Sequence, residues 1–331
     1  MKTALIFGIT GQTGSYLAEI LLEKDIQVIG FVRRTSTNNL SRINHILSRL
    51  TIEDGDITDA HSVYAVFEKY KPDYCFNLAA QSFVHTSFNQ PDLTFQVNTS
   101  GVINIIEAIR TISPHTRFLQ CSTSEMYGQN YEERGKWQNG DIILADTLTV
   151  RYQDENTALQ GESPYAISKI ASHQLVQLYR KAYNLFAVCA ISFNHESPRR
   201  GQEFVTQKII SYVKKISSGA PVGKLKLGNI EASRDWSHAY DMARGYWLAI
   251  NTDKPDDYVF SSGHTHTVKE FLTVAFGLIS KKWEDYVEID PSLFRPSEVP
   301  YLRGISTKAR TKLNWRPQYD FVDLVEDMLK E

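Results

Sequence analysis

Ala4-Leu5-Ile6-Phe7-Gly8-Ile9-Thr10-Gly11-Gln12-Thr13-Gly14 joins a short apolar run to an amphipathic pattern through three glycines spaced G-x-x-G-x-x-G. An apolar run without alternation reads as a strand buried on both faces. Glycines in the turn let the backbone approach a bound group. The helix start that follows offers unpaired N–H groups and the positive end of a dipole, which suits a pyrophosphate. A glycine turn alone is as often structural as functional; its place after the first strand of an alternating chain favours a dinucleotide. Further apolar runs lie at Gln27–Val32, Tyr74–Leu78, Phe118–Ser122 and Phe186–Ile191, with helical patterns such as Gly14–Lys24 and Thr99–Thr111 between them. This rhythm predicts an α/β fold, a Rossmann-type doubly wound parallel sheet with helices on both faces. After residue 192 the alternation weakens, and there is no repeat or low-complexity linker. A smaller, interwoven α/β substrate lobe is therefore expected. Residues 1–191 with about 235–262 form the dinucleotide domain, and about 192–234 with 263–331 form the lobe.

The chain has 331 residues, enough for one large α/β unit with a second lobe. A net charge of −2 gives no electrostatic reason to expect a nucleic acid or an anionic membrane as partner. The apolar run at the start is too short for a signal-peptide core, and no stretch reaches the roughly 20 apolar residues of a membrane helix. Cys75, Cys121 and Cys189 each lie in a strand-like run. Their odd number and the lack of C-x-x-C argue against a disulfide framework or a zinc site, so no metal is expected. Buried free thiols fit a reducing cytoplasm.

Chemistry concentrates in two later segments. Ser163-Pro164-Tyr165-Ala166-Ile167-Ser168-Lys169 sets a Tyr and a Lys one helical turn apart and pointing the same way. A nearby ammonium favours the phenolate, so Tyr165 is expected to take a hydroxyl proton while a nicotinamide takes the hydride. An isolated Tyr-x-x-x-Lys is more often a surface pair. Ser122-Thr123-Ser124-Glu125-Met126-Tyr127-Gly128 adds a carboxylate, a second acid/base that simple alcohol oxidation does not need. At the end of the second strand, where NAD-selective sites carry an acid, stand Arg33 and Arg34. Two guanidiniums suit a 2′-phosphate, so the expected cofactor is NADP; the bland alternative is a solvated basic turn. Asp56-Ile57 follows the third strand, where Asp56 either accepts from the adenine amino group or simply forms a turn.

These motifs resemble the extended short-chain dehydrogenase/reductases and, within them, the GDP-mannose 4,6-dehydratase family. The resemblance runs from residue 3 to about 317 and adds Asn77-Leu78-Ala79-Ala80-Gln81-Ser82 and Asn184–Val188. It adds also Phe193-Asn194-His195-Glu196-Ser197-Pro198-Arg199-Arg200-Gly201, Gly228-Asn229, Arg234-Asp235-Trp236 and Arg295-Pro296-Ser297-Glu298-Val299. It implies a reaction in which C4 of the mannose is oxidised, water leaves across C5 and C6, and the stored hydride returns to C6. By position, Thr123 would bind the C4 oxygen, Glu125 would serve C5 and C6, and Tyr165 would be the C4 base. Lys169 would hold the nicotinamide ribose. Gly8, Thr10, Gly11, Gln12, Thr13, Gly14, Arg33, Arg34, Asp56, Ile57, Leu78 and Ala80 would hold the cofactor. Gln81, Ser82, Ser124, Asn194, Val205, Lys208, Gly228, Asn229, Arg234, Arg295 and Glu298 would surround the GDP-sugar, the two arginines facing its diphosphate. Asn98 is expected to support the loop after the fourth strand, and Cys121 to be structural. The Arg33–Ile43 segment resembles a loop that reaches a neighbouring subunit, with Arg199, Arg200 and Gly201 in support, which implies a homotetramer.

The chain departs from that pattern twice. The stretch between Gly128 and Ser163 is long and polar, and is expected at the mouth of the sugar site. Glu162 stands where the family carries an Arg. A sign change beside the sugar would favour a larger GDP-sugar such as a GDP-manno-heptose; otherwise Glu162 faces solvent. The other rivals are a 4-epimerase or 4-keto reductase of GDP-sugars, and a cofactor-sensing scaffold whose catalysis has decayed. Intact Thr123, Glu125, Tyr165 and Lys169 argue against the last.

Overall fold

Runs of Ala, Leu, Ile, Val and Phe become seven parallel strands: β1 (Thr3–Phe7), β2 (Gln27–Val32), β3 (Leu50–Asp54), β4 (Tyr74–Asn77), β5 (Arg117–Thr123), β6 (Ala187–Ser192) and β7 (Asp257–Phe260). The computed structural model describes residues 1–36, 39–134, 136–138, 141–143, 150–294 and 297–330. All seven strands form one sheet in the order β7-β6-β5-β4-β1-β2-β3, every pair parallel. The chain reverses direction across the sheet between β1 and β4, so the loops that follow these two strands diverge and leave a crevice.

The helices that place the site are α1 (Gln12–Leu22), α2 (Ala60–Tyr70), α3 (Gly101–Ile112), α4 (Pro164–Tyr183), α5 (Val205–Ser217), α6 (Ala239–Ile250), α7 (Val268–Gly277) and α8 (Phe321–Lys330). On one sheet face, Leu17, Leu21, Tyr246 and Ile250 of α1 and α6 pack on Ala4, Ile6, Val28 and Leu119. Ala309, Leu313 and Trp315 join this core, and the Trp315 indole donates to the Asp241 carbonyl at 2.8 Å. On the other face, Phe67, Ile105, Ile109 and Val176 of α2, α3 and α4 cover Leu5, Phe7, Ile29 and Cys75. A separate core gathers Ile209, Ile210 and Val213 of α5, Phe271 and Phe276 of α7, and Leu324 and Met328 of α8 around Trp236. Residues 129–160, read as aperiodic, contain two antiparallel ladders, Glu132–Arg134 with Val150–Tyr152 and Lys136–Gln138 with Asp141–Ile143. Their base docks on the late chain. The Tyr131 hydroxyl donates to the Tyr301 carbonyl at 3.0 Å, and the Gln153 N–H to the Arg303 carbonyl at 2.9 Å. Glu155 then accepts the Val259 N–H of edge strand β7 at 2.7 Å, satisfying a group that an edge leaves open. Burial pushes the Glu155 carboxyl up to about 7.

Candidate active site

A cleft of about 680 Å³ opens over the C-terminal strand ends, bounded on its far side by α5 and the residues around Gly228. Its floor includes Gly8, Gly11, Gln12, Thr13 and Gly14. Gly11 begins α1 with no side-chain cap, so the first N–H groups of the helix are left to whatever fills the cleft. Gly14 has to be glycine: a Cβ there would lie 2.2 Å from the Gly8 carbonyl oxygen. A backbone cradle at an uncapped helix start fits a diphosphate. Gln12 ties this turn to the other side of the cleft. Its Nε2 donates to the His195 carbonyl, and its Oε1 accepts from Ser197 Oγ, both at 2.9 Å.

The residues expected to react come from β5, the turn after it and α4. Thr123 ends β5, and its Oγ1 accepts the Glu125 N–H at 3.3 Å, starting the short helical turn Ser124–Tyr127. Ser163 caps α4 by accepting the Ala166 N–H at 3.1 Å, and Pro164 sits at the tolerant first position. Tyr165 and Lys169 then face β5. Thr123, Ser124, Glu125, Tyr165 and Lys169 all line the cleft. Lys169 Nζ donates to the Cys121 carbonyl at 2.5 Å, and burial lowers its proton affinity. The expected acidified phenol is not what the structure has. Burial pushes Tyr165 well up, and the Thr123 hydroxyl beside it pulls only partly back. The Lys169 charge is directed at a carbonyl, and Thr123 is the favourable neighbour of Tyr165.

Asn194, Val205, Lys208, Gly228, Asn229, Arg234 and Glu298 line the far wall as the resemblance implies. Arg234 pairs with Glu298 at 2.7 Å. Next to it, buried Asp235 accepts N–H bonds from Ser262, Gly263 and Gly304 and the Ser262 hydroxyl. Burial still raises its carboxyl to about 6. Leu78, Ala80 and Ser82 also line the cleft.

Other expected residues lie elsewhere. Thr10 is not in the lining; its carbonyl accepts from Arg42 at 3.2 Å. Arg33 and Arg34 are exposed and outside the cleft. Asp56 forms a turn, accepting the N–H and hydroxyl of Thr58, and Ile57 is buried. Gln81 turns its side chain to the Phe83 N–H and to Thr94, while Asn98 grips its backbone. Arg295 lies outside the described residues. Among described residues, none from 129 to 160 lines the cleft, and the long excursion packs on residues 301–305 instead. Glu162 does not line it either; its carboxylate accepts from Ser297 Oγ at 3.1 Å.

Among the lining residues that carried no cofactor or substrate role in the sequence reading, three stand out. Arg42 lies over the glycine turn and donates to the carbonyls of Thr10 and Arg199. Arg200 pairs with buried Glu196 at 3.0 Å and stacks on the Phe204 ring. His195 donates from Nδ1 to the Phe193 carbonyl at 2.9 Å, and burial lowers it to about 4. It therefore stays neutral and keeps an acceptor lone pair on Nε2. The signal for all three was their place within segments already singled out for assembly or family resemblance.

The family description "GDP-mannose 4,6 dehydratase" matches residues 5–328. GDP-mannose 4,6 dehydratase 1 of Arabidopsis thaliana is 43% identical, over 100% of this chain and 89% of its own length. The enzymes of that name from Homo sapiens and Sinorhizobium fredii are 39% and 38% identical, over 99% and 100% of this chain and 90% and 96% of theirs. Among solved structures, a dTDP-glucose 4,6-dehydratase from Bacillus anthracis in complex with NAD superposes with a TM-score of 0.81 at 20% identity, covering 100% of this chain and 96% of its own. A UDP-glucose 4-epimerase from Thermus thermophilus does so at 0.81 and 22%, covering 99% and 98%. At that identity the two structures speak for the fold, a Rossmann-type sheet, while the sequence matches run end to end at about twice the identity. The chain belongs to the GDP-mannose 4,6-dehydratase family.

Proposed function

We propose that this chain converts GDP-D-mannose to GDP-4-keto-6-deoxy-D-mannose with loss of one water, as a hydro-lyase. The observation that carries the reading is Glu125 in the same cleft as Thr123, Tyr165 and Lys169. A tightly bound NADP is the proposed cofactor, held at Gly8, Gly11–Gly14, Leu78, Ala80 and Lys169; its 2′-phosphate would have to extend beyond the cleft lining to exposed Arg33 and Arg34 at the end of β2. When bound, such a cofactor supplies a hydride acceptor that becomes the donor later in the same turnover.

The chain's own groups handle protons. Tyr165 takes the proton of the C4 hydroxyl once it is a phenolate, the form that the Thr123 hydroxyl favours and burial opposes, while Thr123 hydrogen-bonds that oxygen. The C4 ketone makes the C5 hydrogen acidic. Glu125 removes it and passes it to the departing C6 hydroxyl, which leaves as water. When C6 is reduced, C5 regains a proton, which balances the one taken at C4. On the nucleotide side, Lys208, Asn229 and Arg234 supply donors to the GDP portion. A homotetramer assembled through the Arg33–Ile43 segment is proposed with this reading; Thr37 and Asn38 of that segment lie outside the described residues. No described helix is long and apolar enough to cross a membrane. Three unpaired cysteines favour the cytoplasm.

The test is a panel of GDP-, UDP- and dTDP-hexoses plus a GDP-heptose, with products identified by mass and NMR. GDP-mannose should give the 4-keto-6-deoxy product while the NADPH level stays constant. Steady NADPH accumulation, or preference for another sugar, overturns the reading.

A further inference from the structure

The inward face of α4 would be expected to be apolar. It instead carries buried Tyr165, Lys169 and His173, each four residues after the last, and exposed Gln177 follows one turn on. His173 is 3% exposed. Its Nδ1 lies 2.9 Å from Ser122 Oγ and its Nε2 3.0 Å from Gln177 Nε2. Gln177 Nε2 is also 2.7 Å from Asp257 Oδ2, and Arg180 forms an ion pair with the other oxygen of Asp257.

These contacts favour one tautomer of His173. A carboxylate only accepts, so the Gln177 atom facing Asp257 is the amide nitrogen. The same nitrogen donates its second hydrogen to His173 Nε2, which must hold a lone pair. The imidazole proton is then on Nδ1 and goes to Ser122 Oγ. By distance alone, His173, Cys189 and Asp257, with ligand atoms within 4.8 Å, could suit a metal ion. Arg180 already neutralises Asp257, however, and Gln177 already fills the His173 lone pair.

Ser122 lies between Cys121, whose carbonyl accepts from Lys169, and Thr123, which neighbours Tyr165. Resting on the dehydratase reading above, we propose that His173 is a positioning residue for C4 oxidation. Its bond to Ser122 locks the end of β5 against α4 and so sets the spacing of Thr123, Tyr165 and Lys169 around the reacting carbon. The groups facing it are Lys169 and Arg180 on α4, Cys189 on β6 and Asp257 on β7. Protonation would set an Nε2–H against the Gln177 amide and add a cation one turn from Lys169. Burial opposes both by lowering the proton affinity of His173.

The test uses the full-length enzyme and has two arms. Nitrogen NMR of the labelled protein at about pH 7.5 reads the tautomer directly, with no variant and no turnover. Kinetics compare His173→Leu, which loses the donor, with His173→Asn, whose amide can still reach Ser122. The Nδ1–H tautomer is expected. His173→Leu should lower kcat about 10- to 100-fold with KM for GDP-mannose within about two-fold. The isotope effect of GDP-mannose deuterated at C4 should rise in that variant, and His173→Asn should recover most of the rate. An Nε2–H or doubly protonated His173 overturns the proposal. So does a folded His173→Leu with unchanged kcat, or equal losses in both variants. If His173→Leu fails to fold, the tautomer and His173→Asn decide. A wild-type enzyme inert to GDP-mannose would sink the dehydratase reading and this catalytic role together, whereas a silent His173→Leu in an active enzyme sinks this one alone.

Discussion

In the proposed reaction, Glu125 separates dehydration from simpler redox chemistry. Glu125→Gln keeps the shape and the bond from the Glu125 N–H to Thr123 but cannot take the C5 proton. It should lower product formation about 10²- to 10⁴-fold while some C4 oxidation persists, seen as transient NADPH absorbance. Normal dehydration by this variant would remove Glu125 as the base. Glu125, Tyr165 and Lys169 were legible because side-chain chemistry and helical spacing are written in the chain. The proton balance at Tyr165 was not. It is set by burial, the Thr123 hydroxyl and a carbonyl that captures Lys169, and none of these follows from spacing. Gln81 and Asp56 illustrate the same gap, since a polar side chain after a strand can as readily hold its own loop as a ligand.

At the scale of elements, β1, β2, β4, β5 and β6 appear within a residue or so of their apolar runs, because strands buried on both faces need continuous apolar sequence. The ladders within 129–160 escaped notice because strands of three residues, mixing charged and apolar side chains, carry no such run. The turn bearing Glu125 depends on Gly128, at φ +56°, where a Cβ would lie 2.0 Å from the Gln160 carbonyl oxygen. The Gln160 N–H in turn donates to the Met126 carbonyl at 2.7 Å, so residues 126–128 and 160 are packed as one piece. Gly128→Ala should cost about 1–3 kcal/mol in chemical denaturation and lower kcat, because relieving the clash moves the turn that holds Glu125. Unchanged stability and rate would show that this turn is free to relax.

For the whole molecule, buried titratable groups pull stability in opposite directions with pH. Burial holds His173, His195 and His238 below their ordinary value, His195 at about 4. The unfolded chain therefore binds these protons first, and their contribution, present above pH 6.5, is lost as pH falls through the folded values. Glu155 and Asp235 are raised, to about 7 and about 6, so their contribution is full below the ordinary carboxylate values and is lost as pH rises through those figures. Glu155→Gln keeps an oxygen for the Val259 N–H and removes the titration. Its Tm should exceed wild type by about 2–5 °C near pH 8 and converge with it at acid pH; equal melting curves at every pH would contradict this. The cleft over the C-terminal strand ends is where an internal hydride cycle is proposed to run. GDP-mannose deuterated at C4, turned over in ordinary water, tests that cycle most directly. The label should be found at C6 of the 4-keto-6-deoxy product, and label lost to solvent or left on free cofactor would contradict the account.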